Sequence, residues 1–127
     1  MSKSPGHQKH PEHKVREQHL EKLVTVAFNG QVIAESKNVI QVDEDHAPRR
    51  HYFPRADVRM DLLIPSDTTS ECPFKGRARY FDLEVGGTRL RDAVWSYETP
   101  YDEHADLAQR LAFYDDKHPA ITVTTKA

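Results

Sequence analysis

From Leu23 the chain alternates with a period of two: Val24, Val26 and Phe28 are separated by the smaller Thr25 and Ala27, and Asn29-Gly30 follows at once. A two-residue primed turn needs positive φ at both central positions, which Asn-Gly supplies, so a β-hairpin is predicted with its return strand over Gln31–Glu35. Val39–Val42 predicts a third strand, and Asp43–Arg50 an acidic, proline-containing loop. His51-Tyr52-Phe53-Pro54 reads as extended, because the residue before a proline is pushed out of the helical region. Val58, Leu62 and Leu63 then suggest one or two helical turns or a tight corner.

The period of two returns over Arg77–Val85, where Phe81, Leu83 and Val85 alternate with Asp82 and Glu84. Gly86-Gly87 turns the chain into a second hairpin. On its return strand Leu90 and Val94 share one face, Trp95 and Tyr97 the other, and Ala93 fits neither. Pro100 ends this strand, and Asp102 is expected to cap a helix over Glu103–Arg110 with Leu107 and Leu111 on its inner stripe. Ala112–Tyr114 and Ala120–Val123 read as short closing strands. About seven strands and one or two short helices predict a mainly β, antiparallel architecture.

Residues 1–21 differ from the rest in being polar, free of aromatics and rich in histidine (His7, His10, His13 and His19). They read as an arm preceding a single domain over 22–127, with Glu12–Leu23 as a short helix that must dock to persist. His10 and His13 would share a helical face as metal ligands do, but no cysteine or carboxylate cluster completes a shell, so no metal and no cofactor is expected.

A length of 127 residues fits one compact domain. Charged residues make up 30% of the chain but the net charge is only −2, and no basic stripe interleaved with aromatics appears. Nucleic acid and anionic membranes are therefore not expected partners. No apolar run approaches a membrane span and no signal-type h-region opens the chain, so the cytosol is the expected compartment. The single cysteine precludes an internal disulfide and the paired Cys-x-x-Cys knuckles of structural zinc sites.

That cysteine lies in Thr69-Ser70-Glu71-Cys72-Pro73-Phe74-Lys75-Gly76, an octet read as a loop. A cation beside a thiol favours the nucleophilic thiolate, which makes Cys72 and Lys75 the candidate catalytic pair; a buried, inert thiol is the competing reading. A histidine would serve as base, His51 first, with His46, His104 and His118 behind it. Tyr52-Phe53-Pro54-Arg55, Asp57 and Arg59, together with Trp95-Ser96-Tyr97, add aromatic walls and guanidinium groups. Tyr52, Arg55, Arg59, Trp95 and Tyr97 are accordingly the candidate ligand-binding residues for a small anionic or aromatic metabolite. The alternative is a non-catalytic interaction or structural module, and exposed sheet edges are compatible with a homodimer. Hydrolase elbows, Walker loops and His-Glu-x-x-His helices are absent from the sequence.

Four blocks in order, Tyr52-Phe53-Pro54-Arg55-x-Asp57-Val58-x-Met60, Cys72-Pro73-Phe74-Lys75-Gly76-x-Ala78-x-Tyr80, Ala93-x-Trp95-x-Tyr97-x-x-Pro100 and Ala112-Phe113-Tyr114, resemble the family catalogued as domain of unknown function 427. The resemblance spans residues 23 to 123 and implies coiled antiparallel sheets of the β-tent type, a group that includes methionine-R-sulfoxide reductases. It implies no established activity. His51 stands where many members carry an aromatic or aliphatic residue. The nucleotidyltransferase label that travels with the family finds no paired metal-binding aspartates in a glycine-serine context here.

Overall fold

A computed structural model describes residues 2–126. A five-residue helix α1 (Pro5–Lys9) is followed by ten strands: β1 (Val15–Leu20), β2 (Val24–Phe28), β3 (Gln31–Ser36), β4 (Val39–Glu44), β5 (Arg50–Tyr52), β6 (Leu63–Cys72), β7 (Gly76–Val85), β8 (Thr88–Ser96), β9 (Leu111–Phe113) and β10 (Ile121–Thr125). They form three antiparallel sheets in the orders β1-β4-β5, β10-β2-β3 and β6-β7-β8-β9. The mainly β, antiparallel reading holds, with ten strands in place of seven. Among the described residues no helix is long and apolar enough to cross a membrane.

The first hairpin turns as predicted, with φ of 47° at Asn29 and 87° at Gly30. A bulge opposite Val26 and Ala27 buries the consecutive residues Ile33 and Ala34. Ala93 escaped the alternation of β8 for the same kind of reason: Asp92 has φ 51°, and the β7–β8 register slips between Phe81 and Leu83. The corner after Pro54 is two 3₁₀ turns, Arg55–Asp57 and Met60–Leu62.

Three local expectations are corrected. The helix expected over Glu12–Leu23 is the strand β1, paired with β4 from Val15↔Glu44 to Leu20↔Val39. Its partly buried positions include Glu17, so a carboxylate masks the period of two. The helix expected over Glu103–Arg110 is a kinked 3₁₀ segment, Asp102–Leu107; Asp102 makes no cap, and Leu111 begins β9. The octet is not a free loop, since Thr69–Cys72 end β6, Gly76 opens β7, and Pro73-Phe74-Lys75 connect them. Strand β6 was hidden by its mostly exposed polar residues and by Pro65, which an edge strand tolerates.

The histidine-rich segment lies against the body. Gly6 N–H and the Ser4 hydroxyl both donate to the Pro73 carbonyl, at 2.8 and 2.7 Å, and Ser4 N–H donates to Glu103 at 2.9 Å. Gly6 is dictated by this approach, because a Cβ there would sit 2.7 Å from the Pro73 carbonyl oxygen.

The four-stranded sheet contributes to two apolar clusters. Phe81, Leu83, Val94, Leu111 and Phe113 pack with Val24, Val26, Phe28 and Ile121 in one. Ala78, Trp95, Tyr97 and Ala112 pack with Ile40, Val42 and Tyr52 in the other. Because side chains alternate across a strand, β7, β8 and β9 supply both clusters from neighbouring residues.

Candidate functional site

The second cluster is incompletely filled. A cavity of about 140 Å³ is lined by Val42, Glu44, Arg50, Tyr52, Lys75, Tyr80, Trp95, Tyr97 and Tyr114, with Ala47 and Pro48 from the β4–β5 loop. Strand geometry explains the set. Val42 and Glu44 alternate on β4, Arg50 and Tyr52 on β5, and Trp95 and Tyr97 along β8 and just past its end, so each pair points the same way. Cross-strand registers Val42↔Arg50 and Tyr80↔Trp95 bring the pairs together.

Four of the five tyrosines and the single tryptophan line this cavity, whereas none of the five phenylalanines does. Phe28, Phe53, Phe81 and Phe113 belong to the filled cluster. A polar edge on an aromatic ring is useful beside a cavity and costly in a sealed core, so the segregation follows the chemistry of the rings. Trp95 Nε1 donates to the Tyr52 hydroxyl at 3.2 Å, with the two rings perpendicular. Tyr114 leans on Trp95 at 4.1 Å between centroids, and Tyr80 stacks on Tyr114 at 6.4 Å. The Arg50 guanidinium carbon lies 5.1 Å from the centroids of both Trp95 and Tyr114 while its nitrogens reach Asp116 at 2.9 and 3.3 Å.

One end of the cavity holds an ion pair. The buried Lys75 ammonium donates to Glu44 Oε1, and His13 Nε2 meets Glu44 Oε2 at 2.9 Å. Burial opposes the Glu44 carboxylate, but Lys75 and His13 outweigh it and hold its carboxyl below the usual range. Burial pushes the phenols of Tyr52, Tyr97 and Tyr114 well above the ordinary value, so all three stay protonated at neutral pH.

The structure brings four candidate residues, Tyr52, Lys75, Trp95 and Tyr97, onto one cavity and places three elsewhere. Cys72, half-buried at the end of β6, packs on the second cluster without lining the cavity; among the described residues its sulfur accepts one hydrogen bond, from Lys75 N–H at 3.4 Å. Arg55 donates to the Gln109 carbonyl at 2.7 Å and to Glu98 at 3.2 Å, and it reaches Ser96, the residue out of phase with Trp95 and Tyr97. It therefore lies on the other face of β8. Arg59 pairs in the open with Asp61. His51 alternates with Tyr52 on β5; burial and Arg49 push its pKa down, against Asp115 and Asp43. His10 and His13 diverge, one to Glu12 at 3.4 Å, the other to Glu44.

Sequence reasoning missed Glu44, Arg50, Tyr80 and Tyr114 as wall residues. Arg50 carried a readable signal, two positions before Tyr52 on an extended segment. Glu44 carried none, because its role depends on Lys75 arriving from a turn 31 residues away.

Residues 16–124 match the family model described as a domain of unknown function (DUF427). No curated protein matches the chain.

Proposed function

The chain belongs to the DUF427 family, and on that premise we propose that it is a small-ligand-binding domain whose site is the tyrosine- and tryptophan-lined cavity. The observation that carries this reading is the convergence of four tyrosines, Trp95 and the Lys75–Glu44 pair on an incompletely filled space. Small-molecule sites combine apolar and aromatic walls with a few placed polar groups, as this solvent-reached pocket does. The volume of about 140 Å³ is close to the roughly 150 Å³ that admits benzene in an engineered core. A single planar ring is the size class that fits.

Cys72 lies outside the lining, so binding rather than thiol chemistry is the activity the geometry supports best. The single tryptophan reports on the site directly. Titration with one-ring compounds is expected to change Trp95 fluorescence saturably for at least one of them. Ala47→Leu, an exposed position at the rim, is expected to abolish that response while leaving the melting temperature within a few degrees. A panel that leaves Trp95 unperturbed would turn the reading toward an interaction or structural module.

A further inference from the structure

Each cation lining the cavity already has a carboxylate partner. Lys75 is paired with Glu44, and Arg50 with Asp116 at 2.9 Å and Asp115 at 3.7 Å. An anionic ligand would have to displace one of these carboxylates or lie among them, and taking a charge from water without a partner of its own is unfavourable. The hydrogen-bonding capacity left over is of another kind. Tyr97 lines the cavity with its ring buried, and its hydroxyl, which has no protein hydrogen-bond partner among the described residues, is open to solvent through the cavity. The Tyr52 hydroxyl accepts from Trp95, and its own proton has no acceptor among them. The two rings are 6.3 Å apart between centroids. Both phenols carry a proton at neutral pH, so each keeps one donor to offer a ligand. Lys75, whose ammonium has three N–H donors and gives one to Glu44, adds spare donors at the same end.

Resting on the reading of the cavity as a ligand site, we infer that this site selects a neutral planar ring bearing a carbonyl oxygen, received by the Tyr97 and Tyr52 hydroxyls, over the corresponding carboxylate. A carbonyl supplies the acceptor that the unused donors lack and brings no charge into a site whose charges are balanced. This departs from the anionic alternative expected of Arg55, Arg59 and Lys75, because the two arginines lie outside the cavity and Lys75 is paired with Glu44.

Benzamide, benzoate and toluene share a ring and differ in what they offer the phenols, so they separate the possibilities by Trp95 fluorescence at pH 7.5. Benzamide is expected to bind at least tenfold more tightly than benzoate. Tyr97→Phe, with its melting temperature checked, is expected to weaken benzamide about three- to tenfold, the size of one hydrogen bond, and to leave toluene unchanged. Benzoate binding as tightly as benzamide, or benzamide indifferent to Tyr97→Phe, overturns the inference while the ligand site stands. If none of the three compounds, nor any of the wider one-ring panel, perturbs Trp95, the site itself is lost and the inference with it.

Discussion

Lys75 shows how one residue can be legible in type and illegible in role. Its place beside Cys72 suggested a cation tuning a thiol, and the folded chain gives its ammonium to Glu44 and its backbone N–H to the sulfur. Lys75→Met would leave Glu44 half-buried with His13 as its remaining partner, and breaking a buried pair from one side costs about 3–5 kcal/mol. That loss is expected in urea denaturation, with Lys75→Met/Glu44→Gln recovering part of it because Gln has no charge to strand. A single-variant loss under about 0.5 kcal/mol would mean that the pair contributes little. The Glu44 carboxyl titrates below its ordinary range in the fold. Its contribution is therefore present above the ordinary carboxylate pKa and fades as pH falls through the depressed folded value.

At the scale of the element, α1 and the segment before β1 are fastened by histidines. His104 Nδ1 meets Glu17 at 2.5 Å and its Nε2 faces His7 Nε2 at 2.9 Å. Two Nε2 atoms at this distance share a single proton, so one of the rings accepts and is neutral, and the contact cannot form between two protonated rings. Phe74 sits between this contact and the next, edge-on to His7 at 5.0 Å and stacked on His13 at 4.2 Å. Burial and then His104 and His13 push the His7 pKa down, against Glu103 and Glu44. A histidine depressed in the fold binds fewer protons folded than free, so its contribution to docking is present in full above the free value of about 6.5 and fades as pH falls through the folded value. Hydrogen-exchange protection of Gly6 N–H, bonded to Pro73 at 2.8 Å, is accordingly expected to drop between pH 7.5 and pH 5 while that of β7 and β8 persists. Equal protection of Gly6 at both values would show that the histidine contact does not govern docking.

Across the whole molecule, the cavity exists because sheets meet along a seam. Phe53 and Leu111 exchange two backbone hydrogen bonds, at 2.8 and 2.9 Å, tying the end of β5 to β9. The Phe53 ring, 0% exposed, packs edge-on against Phe113 in one cluster while its neighbour Tyr52 enters the other. Phe53→Ala is expected to cost about 3–5 kcal/mol by denaturant unfolding and to weaken binding at a cavity it never touches, since it frees the strand that carries Arg50 and Tyr52. A loss below about 1 kcal/mol with binding intact would mean that the β4–β5 pairing positions the wall without the seam. The sequence by itself determined the antiparallel β class, the Asn29-Gly30 and Gly86-Gly87 hairpins and the opposed faces of β8. Each depends on interactions within about ten residues, where period, φ preference and turn chemistry act directly. Only the tertiary structure decided that β1 and β6 are strands, because their faces carry polar groups whose partners, such as His104 for Glu17 and Asp92 for Ser66, come from remote segments. It likewise decided that Tyr52, Lys75, Trp95 and Tyr97 share one cavity while Cys72, Arg55 and Arg59 lie outside it. Strand register assigns each side chain to a face, but which faces meet depends on long-range closure that no local pattern encodes.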